Sequence, residues 1–272
     1  MKFEIENHVL KECIVESDEA IAIVPDGVTS IRERAFASCK SLQEVYLPNS
    51  VTVIGDKAFW NCKSLQKLYL PDNITSIGNF AFSQCKSLKE VHFPKSIVNM
   101  GQGIFEECKL LEKIYFSDTI TYIESSTFSD CKSLKEVYLP DSIINIGAGA
   151  FGNCESLKEV HFSKNLIMIE AGAFHNCGAL KKIYLPDNIT SIGTNAFSEC
   201  KSLREVYLPD SITNIENCAF FSCISLKKVR FPKKITSIGF GAFCNCKSLD
   251  KICFPDSITD IDYITSIECD VE

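Results

Sequence analysis

The sequence lacks any apolar run approaching the roughly 20 residues needed to cross a bilayer, so no membrane insertion is expected. Glycine and proline are sparse, 13 and 9 of 272 residues, and no low-complexity tract or linker interrupts the chain, which argues against fibrous and disordered classes. A positive surplus is missing too. Lys and Arg number 28 against 35 Asp and Glu, a net charge of −7, so nucleic acid is not expected as the main partner. Histidine is limited to His8, His92, His161 and His175, with no His-x-x-x-His pair and no phosphate-binding glycine loop. These absences predict a non-enzymatic protein without catalytic residues, cofactor or metal. The N-terminal stretch MKFEIENHVLKECIV places Glu4, Glu6 and Glu12 where a secretory signal requires a positive start and an uninterrupted apolar segment. Together with 15 cysteines that read as free thiols, this predicts a cytoplasmic protein.

What the chain does have is repetition. Cys39, Cys62, Cys85, Cys108, Cys131, Cys154, Cys177, Cys200, Cys223 and Cys246 recur every 23 residues with no insertion or deletion. A phenylalanine stands three residues before each (Phe36 to Phe243) and a leucine three after (Leu42 to Leu249). The leucine opens an L-x-x-[VIL]-x-[LF] segment such as Leu134, Val137 and Leu139, whose alternation predicts a strand of about three residues with one face buried. Proline commonly follows, as Pro48, Pro140 and Pro209, and ends the strand by withholding a backbone donor. A Ser, Asn or Thr comes next (Ser50, Asn73, Ser96, Thr119, Ser142, Asn165, Asn188, Ser211), suited to bonding the backbone of a turn. Two isoleucine-type positions lead to A-F-x-x-C, where a short helical or 3₁₀ piece would aim both Phe and Cys inward. A glycine column (Gly55, Gly78, Gly101, Gly147, Gly193, Gly239) is broken by Glu124, Glu170 and Glu216, so glycine there is expected to be convenient and not required by a positive φ. No such unit can bury its apolar side alone, so neighbours must stack into a solenoid.

The pattern L-x-x-V-x-L-P-x-S-I-x-x-I-G-x-x-A-F-x-x-C resembles the BspA-like subclass of leucine-rich repeats over roughly Ile21 to Asp262. The resemblance implies an α/β repeat solenoid: curved, right-handed, with a parallel β-sheet on the concave face and short helical or 3₁₀ turns on the convex side. It also implies a surface or secreted adhesin or interaction module, the alternative to a cytoplasmic location, and it brings no catalytic residues. Residues 1–24 are expected to form an N-terminal cap containing a hairpin over Phe3 to Ile14, residues 25–262 a single solenoid of about ten repeats, and residues 263–272 an acidic C-terminal cap or tail.

The cysteine column is expected to act as small apolar filler, its parallel inward orientation arguing against bridges between successive rungs. Cys13, Cys218, Cys244, Cys253 and Cys269 fall outside it or outside an intact repeat, and the spacings among Cys218, Cys223, Cys244 and Cys246 are poor for zinc. Asn73 and Asn188 match glycosylation sequons but occupy the turn-bonding position, which favours a structural role.

The candidate binding surface is the strand face turned away from the core. Its central column reads Tyr46, Tyr69, His92, Tyr115, Tyr138, His161, Tyr184, Tyr207 and Arg230. Two residues earlier runs a charged column, among them Glu44, Lys67, Glu90, Lys113, Lys182 and Glu205. Lys95, Lys164 and Lys233 recur every 69 residues, three repeats, as befits growth by copying three-repeat blocks; with His92, His161 and Arg230 they make three more basic strands about 14 Å apart, spaced contacts for an extended anionic ligand. At that spacing His92 and His161 could not share a proton or a metal. The expected partner is a protein or a glycan on the concave face, with the chain a monomer or associating end to end. The competing expectation is a structural spacer whose columns are ladders satisfied among themselves and bind nothing specific.

Overall fold

The computed structural model describes residues 1–15, 19–249, 255–258 and 260–261. Cys253, Cys269 and the expected cap at 263–272 lie outside these. The chain divides into two compact units, Met1–Ile120 with Ser126–Leu134, and Thr121–Ser125 with Lys135–Glu272.

The first unit carries β1 (Lys2–Glu6), β2 (Val9–Ile14), β3 (Ile21–Ile23), β4 (Ser30–Ile31), β5 (Glu44–Tyr46), β6 (Val53–Ile54), β7 (Lys67–Tyr69), β8 (Ser76–Ile77), β9 (Glu90–His92), β10 (Asn99–Met100) and β11 (Lys113–Tyr115). The antiparallel hairpin of β1 and β2 turns at Asn7 and His8, both at positive φ, 50° and 65°, the conformation a tight hairpin turn needs. β2 then pairs in parallel with β4, so the hairpin covers one end of the ladder β4-β6-β8-β10. Each coil thus contributes two strands. The expected three-residue strand is present, and a two-residue strand at the isoleucine positions, such as Val53–Ile54, adds a second parallel ladder that the repeat pattern had shown only as a pair of apolar sites.

The uninterrupted 23-residue period fixes the register: Glu44 lies against Lys67, Val45 against Leu68 and Tyr46 against Tyr69. The middle residue of each three-residue strand points inward, and Phe36, Phe59, Phe82, Phe105 and Phe128 form a fully buried column behind it. Successive rings of this column from Phe36 to Phe128 stack 4.6 to 5.8 Å apart and nearly parallel.

The A-F-x-x-C segment is not helical, and no helix occurs among the described residues. Phe and Cys do face inward, as the spacing of three required, but two residues per coil adopt positive φ, for example Lys57 (54°) and Asn61 (62°), which a right-handed helix forbids. Backbone amides there alternate in purpose. Ala58, Trp60 and Cys62 donate three residues back, closing successive turns, while Lys57, Phe59 and Asn61 donate to Asn79, Ala81 and Ser83 of the next coil at 2.7 to 2.9 Å. A helix would spend every amide locally; here half of them tie coil to coil.

The second unit repeats this plan with β12 (Tyr122–Ile123), β13 (Glu136–Tyr138), β14 (Asn145–Ile146), β15 (Glu159–His161), β16 (Met168–Ile169), β17 (Lys182–Tyr184), β18 (Ser191–Ile192), β19 (Glu205–Tyr207), β20 (Asn214–Ile215), β21 (Lys228–Arg230), β22 (Ser237–Ile238) and β23 (Asp260–Ile261). Its two-residue strands form one continuous ladder from β12 to β23. Its phenylalanine column, Phe151, Phe174, Phe197, Phe220 and Phe243, is fully buried with ring centroids 5.2 to 5.5 Å apart.

Three side-chain roles are sharper in the packed coils than in the repeat pattern. The column cysteines are buried free thiols, as expected, but they also donate: Cys85 to the carbonyl of Phe59 and Cys177 to that of Phe151, at 3.3 and 3.2 Å. The Ser/Asn/Thr position commonly bonds the preceding coil, as in Ser50 Oγ to the Val28 carbonyl (2.7 Å) and Asn188 Nδ2 to that of Lys164 (2.9 Å), whereas the buried Ser142 Oγ has no hydrogen-bond partner. The glycine column has ordinary φ, yet a Cβ on Gly101 would lie 2.4 Å from the Asn79 nitrogen and one on Gly193 2.7 Å from that of Ala171. Close approach between coils, not backbone conformation, selects glycine there, although Glu170 and Glu216 occupy the same position and keep the amide bond to the preceding coil.

Candidate functional site

Because each three-residue strand turns its middle residue, buried or half-buried, toward the core, its first and third residues point outward, and in-register stacking turns them into rows. In the first unit Tyr46 stacks on Tyr69 with centroids 4.8 Å apart, and His92 on Tyr115 at 4.1 Å. In the second, Tyr138 stacks on His161 at 4.1 Å and Tyr184 on Tyr207 at 4.8 Å. Tyr207 is half-buried; the other rings are exposed, as is Arg230, which lies beside Tyr207 in register. The rows are interrupted. β7 and β9 belong to separate sheets, and so do β15 and β17, so that within each unit the rings meet in pairs.

The charged row is partly self-satisfied. Lys67 Nζ sits 2.7 Å from Glu44 and Lys182 Nζ 3.1 Å from Glu205. Tyrosine hydroxyls donate back to glutamates of their own strands, Tyr46 to Glu44 at 3.0 Å and Tyr207 to Glu205 at 3.0 Å. The hydrogen bonds from Lys67 and then Tyr46 hold the Glu44 carboxyl below its ordinary range, and Lys182 and then Tyr207 do the same to Glu205. Glu136 and Glu159, of like charge, stand directly opposite one another. Lys95, Lys164 and Lys233 are all exposed, but Lys164 Nζ is paired with Asp141 at 2.6 Å, which reduces its availability to a ligand.

Two polar arrangements could not be read from the repeat alone. His175 Nδ1 lies 2.8 Å from Ser198 Oγ, which itself donates to the Asn195 carbonyl at 2.9 Å. With its proton so committed and its side chain buried, the hydroxyl must accept from the imidazole, so the pair is a bracing contact and not a nucleophile with its base. In the second unit Glu170 accepts from the Tyr122 hydroxyl (2.8 Å), Asn145 Nδ2 (3.2 Å) and the Ala148 amide (3.1 Å), a network made possible by a glutamate in the glycine column. Burial, then the nearby Glu170 charge, raises the Glu124 carboxyl. Among the described residues no cluster of His, Cys, Asp and Glu is placed to hold a metal ion, and no helix is long and apolar enough to cross a membrane.

The BspA type leucine rich repeat region matches in overlapping stretches, residues 4–135, 52–181, 121–249 and 167–271. Among solved structures, a leucine-rich repeat protein from Bacteroides ovatus shares 23% identity with a TM-score of 0.71, covering 98% of this chain and 88% of that one. A leucine-rich cell surface protein from Faecalibacterium prausnitzii shares 25% identity with a TM-score of 0.52, covering 97% and 83%. The pneumococcal vaccine antigen PcpA shares 18% with a TM-score of 0.61, covering 97% and 83%. No curated protein matches. None of these relations supports the expectation of a cytoplasmic protein.

Proposed function

The chain belongs to the BspA-type leucine-rich repeat family, a family not generally enzymatic, and we infer that this member recognises a protein partner through the outward face of its three-residue strands. The observation that carries this reading is the set of exposed, pairwise stacked rings on a regular strand scaffold. Tyrosine and histidine held by strands present large contact areas with little entropy left to lose, and flanking lysines and glutamates supply directional polar contacts. A face that existed only to satisfy itself would not need to leave rings such as Tyr138 and Tyr184 more than half exposed, at 59% and 57%. A cell-surface setting fits the reading, since one relative is described as a cell surface protein and another as a vaccine antigen.

The test compares capture of partners from host or matrix extracts by the wild type and by a variant carrying Tyr69→Ser, Tyr115→Ser, Tyr138→Ser and Tyr184→Ser, after both are shown to fold. A protein retained by the wild type and lost by the variant supports the reading. An identical set retained by both would assign the rings to scaffold. Three further variants, Lys95→Asp, Lys164→Asp and Lys233→Asp, combined in one chain, should weaken capture of an acidic partner more than of a neutral one.

A further inference from the structure

Within the first unit the strand face is split. Gln66 donates its amide to the Gln43 carbonyl (2.8 Å) and Glu112 donates to Lys89 (2.8 Å), but the equivalent bond from the Lys89 amide to the Gln66 carbonyl is absent among the described residues, and β7 and β9 do not pair. On the other side of the same two coils the ladder is intact, with Ser76 and Ile77 of β8 against Asn99 and Met100 of β10. The coils therefore stay joined behind and part in front. The opening is a cleft of about 550 Å³ whose walls include Tyr69 on one side and His92 on the other, with Leu68 and Leu70, Lys67 and Lys89 around them and Glu90, which lies 3.8 Å from His92 Nε2, also in the lining.

Each wall presents a ring face without a stacking neighbour: Tyr69 is covered by Tyr46 on one side only and His92 by Tyr115 on one side only. An inserted planar ring would meet an uncovered ring face on each side. The parted strand edges offer the Lys89 N–H and the Gln66 carbonyl, a donor and an acceptor suited to a peptide backbone. Charge sets the rest. Lys67 is occupied by Glu44, whereas Lys89 has no ion-pair partner among the described residues and stands at the cleft.

We propose that the cleft between Lys67–Tyr69 and Glu90–His92 binds an aromatic side chain of a protein partner, next to an acidic residue that pairs with Lys89. This rests on the reading of the strand face as a recognition surface and narrows it to one anchor. The rings select a planar group, the open edges select a peptide, and the unpaired ammonium selects the neighbouring carboxylate.

The probe is the capped dipeptide N-acetyl-Asp-Tyr-amide, titrated to about 10 mM, where millimolar affinity is measurable, against the full chain with methyl and ring NMR signals assigned. Shifts should be confined to Leu68, Leu70, Tyr69 and His92 and should saturate. The Lys89→Glu variant should bind about fivefold more weakly, and N-acetyl-Asn-Tyr-amide should show the same loss on the wild type. N-acetyl-Asp-Ala-amide should leave the ring signals unmoved. Absence of shifts at these four residues overturns the proposal, as does a response equal in wild type and Lys89→Glu. Cleft binding with no partner captured by the wild-type face would leave this anchor standing and remove the wider reading. Partner capture that depends on Tyr138 and Tyr184, with an unresponsive cleft, would remove the anchor alone.

Discussion

Replacing Phe82 by alanine tests the packing logic at its most demanding point. Phe82 is fully buried and lies between Phe59 at 5.1 Å and Phe105 at 5.4 Å, with interplanar angles of 12° and 7°. Loss of a buried phenylalanine ring costs about 3 to 5 kcal/mol, the spread reflecting how far the surroundings collapse. Collapse is restricted here, because Lys57, Phe59 and Asn61 bond the coil ahead and hold the walls of the cavity apart, so a value near 4 kcal/mol is expected. Tyr69 makes the informative comparison. Its ring is also stacked, on Tyr46 at 4.8 Å, but it is 47% exposed, so Tyr69→Ala should cost no more than about 1 kcal/mol. Guanidinium unfolding followed by circular dichroism gives the two values. The single tryptophan, Trp60, next to Phe59, adds a local readout, since damage in a stacked array falls first on adjoining coils. If Phe82→Ala costs no more than Tyr69→Ala, ring stacking alone rather than burial stabilises the array, and the phenylalanine column is not the core that holds the coils together.

Thiol labelling should divide the cysteines by depth. In the native protein iodoacetamide, followed by peptide mass spectrometry, should modify the part-exposed Cys218 and Cys244 and spare Cys85 and Cys200, whose thiols are buried and pushed up to about 12 by that burial; unfolding should equalise them. Glu106 should titrate against stability. Burial first, then the neighbouring Glu107 charge, raises its carboxyl despite the hydrogen bond from Ser83, so its ionised form disfavours the fold above that raised value and the penalty fades as pH falls through it. Glu106→Gln should therefore raise Tm at neutral pH, with a gain that shrinks on acidification; a gain unchanged down to acid pH would refute the assignment.

Much of this fold was legible because the repeat is uninterrupted: the period gave the register and the Leu-x-x-Val-x-Leu alternation gave the three-residue strands, while the hairpin expected over Phe3 to Ile14 is formed by β1 and β2. The helical expectation for A-F-x-x-C failed for a physical reason. Spacing of three residues reports which side chains face inward, not the backbone conformation that brings them there, and residues such as Lys57, Ser126 and Glu199 carry no sequence signal for the positive φ they adopt. The serine and asparagine position was legible as a backbone binder but not as to which coil it binds, since nothing in a single repeat distinguishes its own carbonyl from that of its neighbour 22 or 24 residues back. On the candidate surface the sequence supplied every ring and every charge. It could not show that Tyr69 and His92 part company while Tyr46 and Tyr69 stay stacked, because the three strands obey one pattern although β5 pairs with β7 and β7 does not pair with β9.

The bonds that join one coil to the next have a direction as well as a length. In the turns the amide belongs to the earlier coil and the carbonyl to the later, as from Phe59 to Ala81, while at the strand entries the order reverses, as from Gln66 to Gln43 and from Gly78 to Ile54. The peptide dipoles carried by these contacts therefore oppose one another across each junction. Where an α-helix accumulates partial charge at its ends as it lengthens, this arrangement cancels its own polarity coil by coil. Copying 23-residue or 69-residue blocks therefore lengthens such a stack without accumulating a dipole along it.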